Sequence, residues 1–261
     1  MVIGLGFTIS ALVVDDPTPR IVPAQPARPQ AVTLSPQPVA VRAPGFASWA
    51  LLDRNTGRIT GSPNQAATSD TMSMIKVWLA SDFLRQQFYR NRDPGAERLD
   101  RIATMIRDSE NGPAEDLYEE MGRESSIRRM VATCGLTETT PVPGRWSNTV
   151  TSARDTVRIG LCVADGRAAG PRWTTWVVDQ MRNVRGTGDF GVRAALPADA
   201  ATAVAIKNGW LLREEDELWH VSCLAIAPEW VLGVLARYPS KLGFAYGRDL
   251  CRSVGTQLLA R

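Results

Sequence analysis

The chain is short of the residues most catalytic sites use. It has one histidine, His220. That argues against a histidine-rich zinc site and against a histidine-based triad. His220 falls in Trp219-His220-Val221-Ser222, a run of strand character, and reads as structural. Lysine is almost as scarce. Of 30 basic residues only Lys76, Lys207 and Lys241 are lysines, and the rest are arginines. Arginine does not give up its proton, whereas a buried lysine can. Lysine in such a chain is expected where an amine must titrate, the alternative being codon bias that leaves three by chance. The four cysteines, Cys134, Cys162, Cys223 and Cys251, lack C-x-x-C spacing, so a metal site is not expected. They allow three full pairings, and spacing does not choose among them; four buried thiols fit as well. No run of five or six like charges occurs and the net charge is only +3, so no nucleic-acid partner is expected.

What is present falls into three stretches. Residues 1–14 form an apolar segment, uncharged from Val2 to Val14. It is too short for a bilayer span, which takes about 20 residues. No basic region precedes it and no clear cleavage site follows. It reads as the tail of a signal peptide or anchor, in a chain whose true start lies upstream or which is a truncated form. Residues 15–45 carry eight of the 17 prolines, a density that favours extended polyproline geometry over helix or sheet. This reads as a semi-rigid spacer or as a plain tail. An exported bacterial protein is expected, secreted or tethered at the envelope through its N-terminus.

The folded domain is expected over residues 46–261. Ser48–Leu52 and Arg58–Thr60 flank the turn Asp53-Arg54-Asn55-Thr56-Gly57 as a hairpin. A helix starting near Ser73 runs to about Arg90, with Ile75, Leu79, Phe83 and Leu84 on its buried face. Helical pattern continues from about Glu97 to Cys134, broken at residues 108–113 and near Gly122. Two further helices span about 152–164 and 171–182. Then come three strand-length runs, Ala203–Leu212, Leu218–Ile226 and Trp230–Tyr238, and a final amphipathic helix. The order predicts an α+β fold of two lobes. One antiparallel sheet is flanked by helices, and an all-helical lobe (about 71–185) is inserted between sheet segments 46–62 and 203–261.

Three polar groups fall at element boundaries. Ser73 and Lys76 form Ser-x-x-Lys at a helix start. Taken alone, this is most simply an N-cap serine. Alternatively, it puts an amine one turn along from a serine nucleophile. Ser109 and Asn111 lie in a helix–helix turn, which suits such residues without any chemistry. Lys207-Asn208-Gly209 lies on the first strand of the meander.

In type and order these resemble the Ser-x-x-Lys, Ser-Asp-Asn and Lys-Thr-Gly motifs of the penicillin-recognising serine enzymes, class A β-lactamases and D,D-peptidases. Residues 186–197 and Thr104–Ser109 look like the segments that precede the third and second motifs. The resemblance covers about residues 46–261. It implies a β-lactamase-like fold, a serine hydrolase or acyl-transfer activity, a β-lactam or cell-wall-peptide substrate, and no cofactor. It also assigns roles. Ser73 is the acylated nucleophile and Lys76 its base. Ser109 passes the proton to the leaving nitrogen. Asn111 orients the lysine and holds the substrate amide. Lys207 supplies positive charge, Asn208 and Gly209 contact substrate, and the N–H groups of Ser73 and Trp210 form the oxyanion hole. A monomer is expected.

The match departs from the family in three places. Glu110 replaces the second motif's aspartate. Asn208 replaces a hydroxyl residue. Arg145-Trp146 is followed by Ser147-Asn148 where the family has the glutamate that activates the deacylating water. The nearest acid along the sequence, Glu138, lies on the wrong side of the tryptophan. Slow deacylation is therefore expected. Two other readings are a binding domain without turnover on this fold, and a structural wall domain whose motifs are chance.

Overall fold

The computed structural model describes Met1 and residues 33–34, 39–41 and 43–260. Residues 2–14 and most of 15–45, and with them the anchor and spacer readings, lie outside the described residues.

Five strands, most of them apolar runs, build one antiparallel sheet. The hairpin is β2 (Phe46–Asp53) and β3 (Ile59–Gly61), and the meander is β6 (Ala205–Arg213), β7 (Leu218–Ile226) and β8 (Trp230–Pro239). The order across the sheet is β3-β2-β8-β7-β6, so β6 is an edge. Two small pairs complete the strands: β1 (Thr33–Leu34) with β9 (Leu259–Ala260), and β4 (Thr68–Asp70) with β5 (Val150–Ser152).

Between β4 and β6 the chain is mainly helical. It forms α1 (Lys76–Tyr89), α2 (Ala96–Arg107), α3 (Gly112–Glu120), α4 (Glu124–Cys134), α5 (Ala153–Ala164), α6 (Thr174–Arg182) and the short α7 (Ala198–Ala203). The expected breaks at 108–113 and Gly122 are the α2–α3 and α3–α4 connections. The Ser152 hydroxyl caps α5 by accepting from the Asp155 N–H at 3.0 Å. α5 lies directly on β2, β7 and β8. Its Gly160 approaches so closely that a Cβ there would meet Val231 Cγ1 at 2.5 Å. α8 (Gly243–Leu258) covers the other face of β7 and β8. Burial on both faces explains why β7 and β8 read as near-continuous apolar runs.

All four cysteines are paired. Cys134–Cys162 ties α4 to α5, and Cys223–Cys251 ties β7 to α8. Each closes a separation of 28 residues. His220 is structural, as its strand context suggests. Its Nε2 contacts Asp216 at 2.8 Å and its Nδ1 lies 2.9 Å from Asp70, beside Arg213.

A loop of this length predicts that removing the β7–α8 bridge with paired Cys223→Ala and Cys251→Ala costs about 3 kcal/mol. Urea unfolding of the oxidised wild type against the double variant measures it. Equal midpoints would show that the bridge adds nothing.

Candidate active site

Ser73 is not a helix cap. It is second in a 3-10 turn, Met72–Ile75, that leads into α1, and no side chain caps either element. Buried Met72 is held at φ +48°, a sparsely populated region for a non-glycine residue. The turn is fixed from outside by the Ser222 hydroxyl, which donates to Thr71 O at 2.6 Å, and by the Thr71 N–H, which donates to Thr149 O at 2.9 Å. β6 passes alongside. A Cβ on Gly209 would meet Ser73 N at 2.4 Å, so only glycine lets the strand backbone reach the serine. This edge strand and the Ser73 turn form one wall of a cleft of about 540 Å³, which Ser73, Ser109, Asn111 and Trp210 line.

The turn between α2 and α3 forms the facing wall. Ser109 adopts φ +64°, which turns its hydroxyl toward two lysines. The Lys76 ammonium donates to Ser109 O at 2.5 Å and to Asn111 Oδ1 at 2.7 Å, with Ser109 Oγ at 3.5 Å. The Lys207 ammonium donates to Ser109 Oγ at 2.9 Å. Both lysines are wholly buried. Burial pushes the Lys76 amine down to about 7, with Glu110 opposing. Burial also drives Lys207 well below the usual lysine range, helped by the Lys76 charge and opposed by Asp108. The third lysine, Lys241, is elsewhere, in the 3-10 turn before α8. The fold therefore brings together Ser73, Lys76, Ser109, Asn111 and Lys207, with Gly209 and Trp210 behind Ser73.

Asn208 is placed differently from the expectation. Register pairs it with Cys223, on the face toward α8, while Lys207 and Gly209 pair with Leu224 and Ser222 on the cleft face. Its amide donates to Gly188 O at 3.1 Å and Phe190 O at 2.8 Å, and it is almost wholly buried. Period-two alternation is the reason: two neighbours on a strand face opposite ways. Asn208 pins the 186–190 loop and offers nothing to a ligand. The Trp210 ring likewise packs on Phe190 and Phe244.

The Trp146 loop also differs from the local reading. Glu138 is remote in role: it is paired with Arg154 and accepts from Ser152, and its carboxyl is lowered to about 2; burial opposes this and those donors produce it. The acid that does reach Trp146 comes from α3. Glu115 Oε2 accepts from the indole Nε1 at 2.8 Å. Glu115 went unseen because the contact joins residues 31 apart that share no motif. Arg185 was missed for the same reason. It forms a two-bond ion pair with Asp108, at 2.5 and 2.9 Å, in the lining of the Ser73 cleft. Among the described residues no cluster of His, Cys, Asp and Glu has the makings of a metal site.

Comparison with known proteins agrees with this geometry. An ancestral class A β-lactamase superposes with a TM-score of 0.65 at 19% identity, over 83% of this chain and 94% of that one. A β-lactamase from Chitinophaga pinensis gives 0.69 at 16% identity, over 82% and 93%. The class A β-lactamase from Mycobacterium abscessus gives 0.63 at 15%, over 82% and 92%. The chain thus has the serine β-lactamase-like fold. In sequence it is 28% identical over 187 residues to the "Putative lipoprotein LppW" of Mycobacterium tuberculosis and of Mycobacterium bovis. That match takes in 70% of this chain and 59% of those proteins, so the chain spans under two thirds of their length. No family model matches.

Two outcomes follow. Asn208→Ala removes two buried hydrogen bonds and should cost roughly 1–3 kcal/mol of stability. Its rate of covalent labelling at Ser73, per folded molecule, should be unchanged; a selective loss of labelling would return Asn208 to the cleft. Gly209→Ala, in contrast, should abolish labelling by a fluorophosphonate probe, because its Cβ displaces the Ser73 turn.

Proposed function

We propose that this protein is an active-site-serine acyl-transfer enzyme that forms an acyl-serine with a β-lactam or a cell-wall-peptide-like amide or ester. One observation carries the reading: two wholly buried lysines converge on Ser109 beside Ser73, in an open cleft. Burying two amines is costly, and a merely structural role would be served by arginine, which this chain uses almost everywhere else.

In this reading the Ser73 oxygen attacks the substrate carbonyl carbon and its proton passes to the Lys76 amine. The carbonyl oxygen, now negative, is held by the N–H groups of Ser73 and Trp210, a contribution of a few kcal/mol. The C–N (or C–O) bond breaks as Ser109 donates its proton to the leaving atom. Ser109 regains its proton from Lys76, 3.5 Å from its hydroxyl, while Lys207 directs its positive charge toward Ser109 and the substrate's negative group. The product is an ester on Ser73. Its hydrolysis needs a water and a base. The one carboxylate lining the Ser73 cleft, Asp108, is tied to Arg185, and Glu115 holds the indole. Deacylation is therefore slow, and the protein is a poor β-lactamase. The same observation supports a second reading, a domain that binds such ligands without turnover.

The two disulfides suit an oxidising compartment. Together with the lipoprotein name of the relatives, they support an exported, envelope-associated protein. No described helix is long and apolar enough to cross a membrane.

Intact-protein mass after incubation with a penicillin tests the proposal. The expected result is a lasting adduct on wild type and none on Ser73→Ala. No adduct together with no drug consumption would overturn the acyl-serine reading for this substrate class. Rapid nitrocefin turnover would overturn slow deacylation. With the Lys76 amine near 7, acylation should rise about tenfold per pH unit below that value and level off above it, because the neutral amine is the base. A rate flat from pH 5 to 9 would remove Lys76 from that role.

A further inference from the structure

The Lys76 ammonium has an unusual set of neighbours. Its hydrogen-bond acceptors are neutral, Ser109 O and Asn111 Oδ1. On a further side it lies over the Trp146 ring, 5.2 Å from the centroid. That indole is itself almost wholly buried and is held by Glu115 through Nε1. Trp146 opens the 3-10 turn Trp146–Asn148, which packs directly against the Ser73 turn. The carboxylates around the amine are all engaged elsewhere or displaced. Asp108 is bound to Arg185, Glu115 to the indole, and Glu110 acts only through its field. Two other cations face the site: Lys207, across Ser109, and Arg185, bound to Asp108.

We propose that Trp146 is a positioning residue: its indole face, locked by Glu115, seats the Lys76 amine and closes that side of the site to water, so that an acyl group on Ser73 persists. The clause about the acyl group rests on the acyl-serine reading above; the seating of Lys76 does not. A ring face attracts an ammonium through its quadrupole but brings no proton acceptor and no water. It can therefore hold the charged lysine while withholding what deacylation needs. A carboxylate at this place would do the reverse.

Because the chain has three lysines, ε-¹³C-lysine labelling gives three NMR signals, with Lys76 assigned by Lys76→Arg. In Trp146→Phe, which keeps a ring face, the Lys76 titration midpoint stays where it is in wild type. In Trp146→Leu, apolar but without a ring, it falls by roughly one pH unit. In Trp146→Ala, where water reaches the amine, it rises. Glu115→Ala shifts it in the same direction as Trp146→Ala, and Glu115→Gln, which can still accept from Nε1, restores it. In parallel, the penicillin adduct should be lost roughly tenfold faster from Trp146→Ala than from wild type. One midpoint common to the Phe, Leu and Ala variants, or an adduct equally lasting in Trp146→Ala, would overturn the proposal. If wild type forms no adduct, the acyl-serine reading fails alone, and the lysine titration still decides whether Trp146 seats the amine.

Discussion

Two ammonium groups buried within reach of one serine hydroxyl set the terms for the rest of the site. Lys76 and Lys207 come from one wall, the start of α1 and the edge strand β6, and meet at Ser109 on the facing turn between α2 and α3. Each would be more stable in water. Their joint burial requires that the sheet edge, the start of α1 and the α2–α3 turn be held in register. Ser222 grips Thr71 O, Gly209 lets β6 touch Ser73, and Asn208 anchors the loop behind. Each of these contacts is local, and each serves to keep the two amines on one hydroxyl.

Two of the five non-glycine residues at positive φ among the described residues fall at the site. Met72 and Ser109, both at positive φ without being glycine, stand immediately before the proposed nucleophile and at the proton-passing hydroxyl. The surroundings impose these conformations: a tight strand approach on one side and short hydrogen bonds from buried groups on the other. Other contacts among the described residues support the site. Two disulfides, a sheet buried on both faces and charged networks such as Asp82 with Arg85 and Arg129 hold the walls apart at a fixed spacing.

The loop bearing Trp146 makes this site chemically lopsided. The groups of the proposed acyl transfer line or adjoin one cleft, and the carboxylates of Asp108 and Glu115 already have partners. An indole over the lysine stabilises its charge while keeping the surroundings dry. Attack on an amide or ester and release by water make different demands on the environment, and under the proposed function this arrangement suits the first better than the second.

Much of the fold was legible in the sequence. Strand-length apolar runs bounded by turn signals gave the hairpin and meander, and the breaks at 108–113 and Gly122 gave the helix boundaries, because those signals are local. The rarity of lysine drew attention to Lys76 and Lys207 because both also fall in the motifs. Short elements were not legible: β4 with β5, the 3-10 turns and α7 are too brief to show a period. Nor was the direction of Asn208, because a motif names residues while the pleat decides which face each one takes. The cysteine pairing, the Glu115–Trp146 bond and the Arg185–Asp108 pair belonged wholly to the tertiary structure. Each joins residues far apart in the chain, and only close packing of the core decides which distant side chains meet.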